Sequence, residues 1–208
     1  MGGKIPYRKG VFINCPFDNQ YSSLFDTLVF AIHDCGFIAR CALEFDDGAQ
    51  VRTDTLITLI RECRYGIHDL SRTELDPTNQ LPRFNMPLEL GLFLGARHFG
   101  NRGQREKACL VHDRERYRYQ MFCSDIAGQD IRSHDDDVTK LIVVVRNWLR
   151  NTLRHKSINI PSGSRIVDRY VLFLSELPVL CSGLKLGVDE LVFHDYSHLV
   201  VGWLNANK

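Results

Sequence analysis

No apolar run in this sequence approaches the roughly 18 residues that a membrane-spanning helix needs, so a helical membrane protein is excluded. Charge of one sign is not in surplus either. Lys and Arg number 26 against 25 Asp and Glu, a net charge of +1, and this gives no broad electrostatic pull toward nucleic acid or anionic lipid. The seven cysteines, at 15, 35, 41, 63, 109, 123 and 181, form no Cys-x-x-Cys pair. Their odd number and apolar neighbours read as reduced core thiols of a cytoplasmic protein. Three phosphate-binding or nucleophile motifs are also missing: G-x-x-x-x-G-K-[ST], G-x-G-x-x-G and G-x-S-x-G. That disfavours P-loop ATPases, dinucleotide-fold dehydrogenases and serine hydrolases. The first residues, "MGGKIPYRKG", lack an apolar leader segment and pass directly into a strand pattern. Pro6 stands where a myristoylation signal has Ser or Thr.

What is present alternates between two periodicities. "GVFINCPF" (10–17) reads as a buried strand, "SSLFDTLVFAIHDCGF" (22–37) as an amphipathic helix ended by Gly36, and "IARCALEF" (38–45) as a second strand. "TDTLITLIRECR" (53–64) is a second helix and "YGIHDL" (65–70) a third strand. A β-α-β-α-β order predicts an α/β fold with a parallel sheet and helices on both faces. A long polar segment (71–85) leads to a helix over 87–97, then to a strand, "KACLVHD" (107–113), and a short strand near 130–132. "DDDVTKLIVVVRNWLRNTL" (135–153) is a helix whose acidic start and basic end complement its dipole. Beyond a linker, two more helices complete a division into an α/β domain, 1–154, and a small helical C-terminal appendage, 155–208.

One stretch raises a chemical question. "RFNMPLELGLFLGA" places Glu89 among leucines, glycines and a phenylalanine, and a buried carboxylate costs several kcal/mol unless it is paired or hydrogen-bonded. With Pro87 in the first helical turn, Glu89 falls at the third or fourth helical position, where the dipole would lower its pKa and keep it ionised. Gly91 and Gly95 would leave one side of that helix open to close approach by a strand or ligand. Asn85, four residues before Glu89, can orient it or serve as the N-cap. Asp69 ends an apolar strand and suits either a ligand hydroxyl or the following turn. Arg52 and Arg83 are candidates for a phosphate clamp, with solvation as the plainer role of each. "RERYRY" (114–119) reads as a solvated loop. His194 and His198 have a metal-ligand spacing but no evident third ligand, so packing or surface roles are expected and no metal site.

The succession "VFINCPFD", "GIHDLSR", "NMPLELG" and "KACLVHD" resembles the superfamily of nucleoside 2-deoxyribosyltransferase-like and TIR-like domains, over roughly residues 8 to 150. The resemblance implies a flavodoxin-like sheet and cleavage or transfer of an N-glycosidic bond in NAD or a nucleoside. It matches Glu89 to the catalytic glutamate, Asp69 to an acid contacting sugar or base, and Asn85 to an asparagine ahead of that glutamate. Asn14, Phe17 and Tyr21 would line the sugar pocket. Where the transferases carry Asp-Ser-Gly-Thr, this chain has "RFNMP", which favours a TIR-like hydrolase or a binding-only relative. A nucleotide-sensing or protein-interaction module is the alternative function. The expected partner is a nucleotide or nucleoside ligand, with room for a homo-oligomer, and without nucleic acid or membrane. No cofactor is implied, NAD entering as a substrate.

Overall fold

The computed structural model describes residues 5–45, 51–75, 78, 80–153 and 159–208. Its centre is a five-stranded sheet of order β2-β1-β3-β4-β5, parallel throughout. The strands are β1 (Gly10–Asn14), β2 (Ile38–Cys41), β3 (Tyr65–Asp69), β4 (Ala108–Asp113) and β5 (Ile131–Ser133). Every residue of β1 and β3 is buried, which is why both read as unbroken apolar runs rather than as alternating ones. The fold is α/β with a parallel sheet, as the element order predicts, and flavodoxin-like, as the resemblance implies.

Helices α1 (Ser22–Asp34) and α5 (Val138–Thr152) cover one face, and α2 (Arg52–Glu62) and α3 (Asn85–Phe99) the other. A four-residue helix, α4 (Arg102–Arg105), leads into β4. Gly36 ends α1 because it takes φ +80, allowing the Phe37 amide to reach the Ile32 carbonyl. Gly66 is needed for space: a Cβ there would lie 2.8 Å from the Phe93 ring of α3 and 2.7 Å from His68 Nε2. No strand closes on Gly91 or Gly95, so of the two approaches their spacing predicts only that of a ligand stays open. A Cβ on either would meet nothing within 4 Å, so the close packing of α3 on the sheet comes from Gly66 on the strand.

The last two helices, α6 (Gly163–Gly183) and α7 (Phe193–Ala206), form a third layer on α1 and α5. Phe30 of α1 sits 5.1 Å from the Tyr170 ring, 5.3 Å from Phe173 and 6.0 Å from Trp203. One continuous apolar cluster therefore runs from the sheet through α1 into α6 and α7. At tens of cal/mol per Å² of buried apolar surface, this interface is part of what holds the fold together. Among the described residues no helix is long and apolar enough to cross a membrane.

Candidate functional site

In an open parallel sheet, ligands sit beyond the carboxyl ends of the strands, near the point where strand order reverses. Here that point is β1, flanked by β2 and β3. The carboxyl ends carry two chemically different layers.

The inner layer is sealed. Asn14, His68, Asp69, His112, Asp113 and His134 are all buried. On the α2/α3 side, Asn14 Nδ2 donates to the Met86 carbonyl at 2.9 Å and lies 3.0 Å from His68 Nδ1. This ties the first turn of α3 to β1 and fixes the height at which Glu89 enters. On the α1/α5 side, Asp69 Oδ2 accepts from the Tyr21 hydroxyl at 2.7 Å and lies 3.0 Å from His134 Nε2, while Oδ1 accepts from the Ser71 amide at 2.8 Å. Burial raises the Asp69 carboxyl, but the bond and charge of His134, with help from His112 and Ser71, reverse this and hold it well below the usual carboxylate range. Burial lowers His134 in turn, and Asp69 more than reverses that, so the pair is mutually charge-stabilised. Burial pushes His68 and His112 down to about 3 and about 4, and the charge of Asp69 on His112 does not reverse it.

Asp113 is held by Arg118, whose NH2 group lies 2.7 Å away and also donates to the Leu70 and Ser71 carbonyls at 2.8 Å. Arg118 belongs to "RERYRY", so that segment is not simply a solvated loop. It is a staple between the ends of β3 and β4.

The outer layer is open. A cavity of about 1070 Å³ lies between the β1–α1 loop, the turn after β2, the start of α2 and the segment joining α6 to α7. Its walls mix aromatic and charged groups, among them Phe17, Phe25, Phe45, Arg52, Phe193 and Asp26. The size suits a nucleotide, and apolar walls with a few fixed polar groups are the usual make-up of a small-molecule site.

Glu89 is not in the cavity wall; its link to the cavity is Arg52, a wall residue whose guanidinium acts on it. The N-cap of α3 is Phe84, so Asn85 is the first helical residue and Glu89 the fifth, one or two residues deeper than its spacing implies. Its dipole advantage is correspondingly reduced. Glu89 is only 6% exposed, and among the described residues no hydrogen bond or ion pair is found for its carboxylate. Burial pushes it up to about 7, against the opposing pull of the Arg52 guanidinium. The expectation of a firmly ionised Glu89 is thus corrected: burial raises the carboxyl further than the Arg52 guanidinium lowers it. The same carboxyl raises the Cys15 thiol, after burial and Asp69, and Cys15 precedes Pro16 in the cavity wall.

The expected site residues separate accordingly. Phe17, 36% exposed, and Arg52 line the cavity. Asn14, Tyr21 and Asp69 lie in the sealed layer. Asn85 and Arg83 are exposed at the start of α3 and are not in the cavity wall. "DDGAQ" (46–50), part of an expected rim loop, lies outside the described residues. His194 Nε2 lies 3.1 Å from the Glu44 carbonyl, and among the described residues no group of three His, Cys, Asp or Glu is placed to hold a metal ion. All seven cysteines are free thiols.

Sequence reasoning misses Asp26 and the histidines. The histidines leave a trace, since β3 and β4 both end in His-Asp. Asp26 leaves none, because it is an ordinary polar position of an amphipathic helix. No protein-family model and no curated protein matches this chain, so its functional reading rests on the geometry of these two layers.

Proposed function

We propose that the protein cleaves or transfers an N-glycosidic bond of NAD, a nucleotide or a nucleoside, with Glu89 as the reacting carboxyl. One observation carries this reading: Glu89 is nearly buried, has no ion pair among the described residues, and is pushed up to about 7 at the ligand end of the sheet. Keeping a carboxyl in that state costs stability, and perturbed groups of this kind concentrate at reactive sites. Breaking a ribosyl C1′–N bond leaves positive charge on the sugar. A fixed carboxylate in a water-poor setting stabilises that charge or captures C1′ covalently, and the departing base takes the bonding electron pair.

Arg52, which both lines the cavity and acts on Glu89, suits a phosphate attached to the same sugar. Asn85 stands one turn ahead of Glu89 on α3, exposed and without a hydrogen bond to it, so Glu89 is held by its burial rather than by Asn85. Asp69 works indirectly, by fixing Tyr21 and with it the loop that carries Phe17.

The test is release of free base from NAD and from nucleosides, followed by chromatography. Wild type turns over; Glu89→Gln loses on the order of a hundredfold or more in rate. Because the ionised form does the work, kcat/KM rises with pH through about 7. Equal turnover by the two proteins overturns the reading. A second reading, a nucleotide-sensing or protein-interaction module, is supported by the absence of Glu89 from the cavity wall. Ligand-dependent melting without any product favours that alternative.

A further inference from the structure

The cavity wall contains four acids, Asp18, Asp26, Glu44 and Asp189. Two of them are already committed. Asp18 Oδ1 accepts from the Gln20 and Tyr21 amides at 3.0 Å and lies 3.6 Å from Arg72. Glu44 is gripped by Arg40 at 2.6 and 2.8 Å and accepts from the Cys41 amide. Asp189 is on the exposed rim. Asp26 differs from all three: it is half-buried, and among the described residues its carboxylate has neither a hydrogen bond nor an ion pair. Burial alone pushes it up to about 6.

Its neighbours in the wall are flat and apolar. Phe17 meets Phe25 edge-on at 5.3 Å, and Phe25 lies 6.0 Å from Phe193. Tyr196 of α7 donates to the backbone carbonyl of Asp26 at 3.3 Å, which anchors this turn of α1 to the C-terminal layer. Leu191 and Val192, in the segment between α6 and α7, complete that side. An aromatic slot with one unsatisfied carboxylate is matched by a planar heteroaromatic ring that presents an N–H donor.

We infer that this cavity takes the base of the ligand against the aromatic wall of Phe17, Phe25 and Phe193, and that the Asp26 carboxylate selects a base bearing an exocyclic amino group. This rests on the nucleotide reading of the preceding subsection and adds to it a specificity residue and a wall built by the C-terminal helices. The ring stacks on the aromatic edges, and its amino N–H donates to Asp26 Oδ. A base with a carbonyl at that position sets an acceptor against the carboxylate and is rejected, because two acceptors cannot share a bond and the buried charge stays unmatched.

Adenosine and inosine serve as probes; they differ at the exocyclic group and at N1, an acceptor in adenosine and an N–H donor in inosine, and 1-methylinosine is the control that removes that N–H. Calorimetry with Glu89→Gln protein reads binding without turnover. The expected result is an adenosine affinity at least about tenfold above that of inosine, in line with the worth of a charge-assisted hydrogen bond. Asp26→Asn, isosteric and able to turn its amide either way, brings the ratio close to one. Ser22→Trp, which fills the slot from an exposed position on α1, abolishes binding of both while leaving the melting temperature within a few degrees. Equal affinities in the Asp26 protein, an unchanged preference in Asp26→Asn, or no binding of either nucleoside overturns the inference. The two proposals fail separately: selective binding with no base release by wild type removes the reaction and keeps the selector, whereas base release without a preference does the reverse.

Discussion

The carboxyl end of the sheet holds two sets of acids that differ in their partners, and the contrast separates architecture from chemistry. Asp69 and Asp113, in the sealed layer, are each met by a cation and by backbone or hydroxyl donors; these lower Asp69, whereas at Asp113 burial still outweighs them and leaves the carboxyl raised. Glu89, linked to the cavity through Arg52, and Asp26, in its wall, are pushed up to about 7 and about 6 by burial, with no matching cation in contact among the described residues. A paired buried acid specifies the fold at little net gain, while an unpaired one costs stability and has to be justified by something other than folding. The sealed layer is the foundation that sets the positions of the β1–α1 loop and α3. The open layer is where a ligand would complete what the chain leaves incomplete.

That contrast can be broken at its foundation first. Asp69→Ala strands His134 in a buried site without its counter-charge and should cost about 3 to 5 kcal/mol in denaturant unfolding. The carboxyl is lowered in the folded state, so its contribution is present above the ordinary carboxylate range and lost as pH falls through the folded value. His134 is raised, so its share is present below the ordinary histidine value and lost as pH rises through the folded one. The loss should therefore be greatest between about pH 4 and about pH 6.5. A uniform small loss across pH would mean that the pair is not coupled.

The opposite sign is expected for the open layer. Glu89 is raised on folding from 4.5 to about 7, so the native state holds the extra proton in that window and stability falls as pH rises through it. Glu89→Gln should therefore stabilise the protein by about 2 to 3 kcal/mol at pH 8 and by little at pH 5, judged by chemical denaturation. A variant less stable than wild type at pH 8 would show that Glu89 has a favourable partner. Smallest of all should be Arg83→Ala. Its side chain is exposed and outside the cavity wall, so stability should stay within about 0.5 kcal/mol and nucleoside affinity should not move.

The sheet is legible in the sequence because strands buried on both faces are continuous apolar runs, and each is bounded by an amphipathic helix with its own stop signal. "GVFIN", "YGIHD" and "ACLVHD" are recognisable for that reason. The stretch around Glu89 is legible as an anomaly, though not its proton affinity, which depends on how far desolvation exceeds the field of Arg52. The partners of Asp69 are not legible: Tyr21, 48 residues away, and His134 meet it only once α1 and the end of β5 have packed. Arg118 looks like one more surface arginine in a polar run until β3 and β4 pair. Asp26 is the clearest case. Its position on α1 is ordinary by periodicity, and only the docking of α7 through Tyr196 turns it into a half-buried group facing a cavity. Site residues made by tertiary burial alone leave no local signature.

The protonation state of Glu89 decides most directly between a reactive and a merely structural carboxyl. Its side chain can be followed by carbon NMR in protein labelled at glutamate, with the resonance assigned by comparison with Glu89→Gln. A titration midpoint near 7 is what an isolated, desolvated carboxyl predicts. A midpoint at or below the ordinary 4.5 would mean that a partner already satisfies it, and would contradict the reading of Glu89 as the group held in reserve for chemistry.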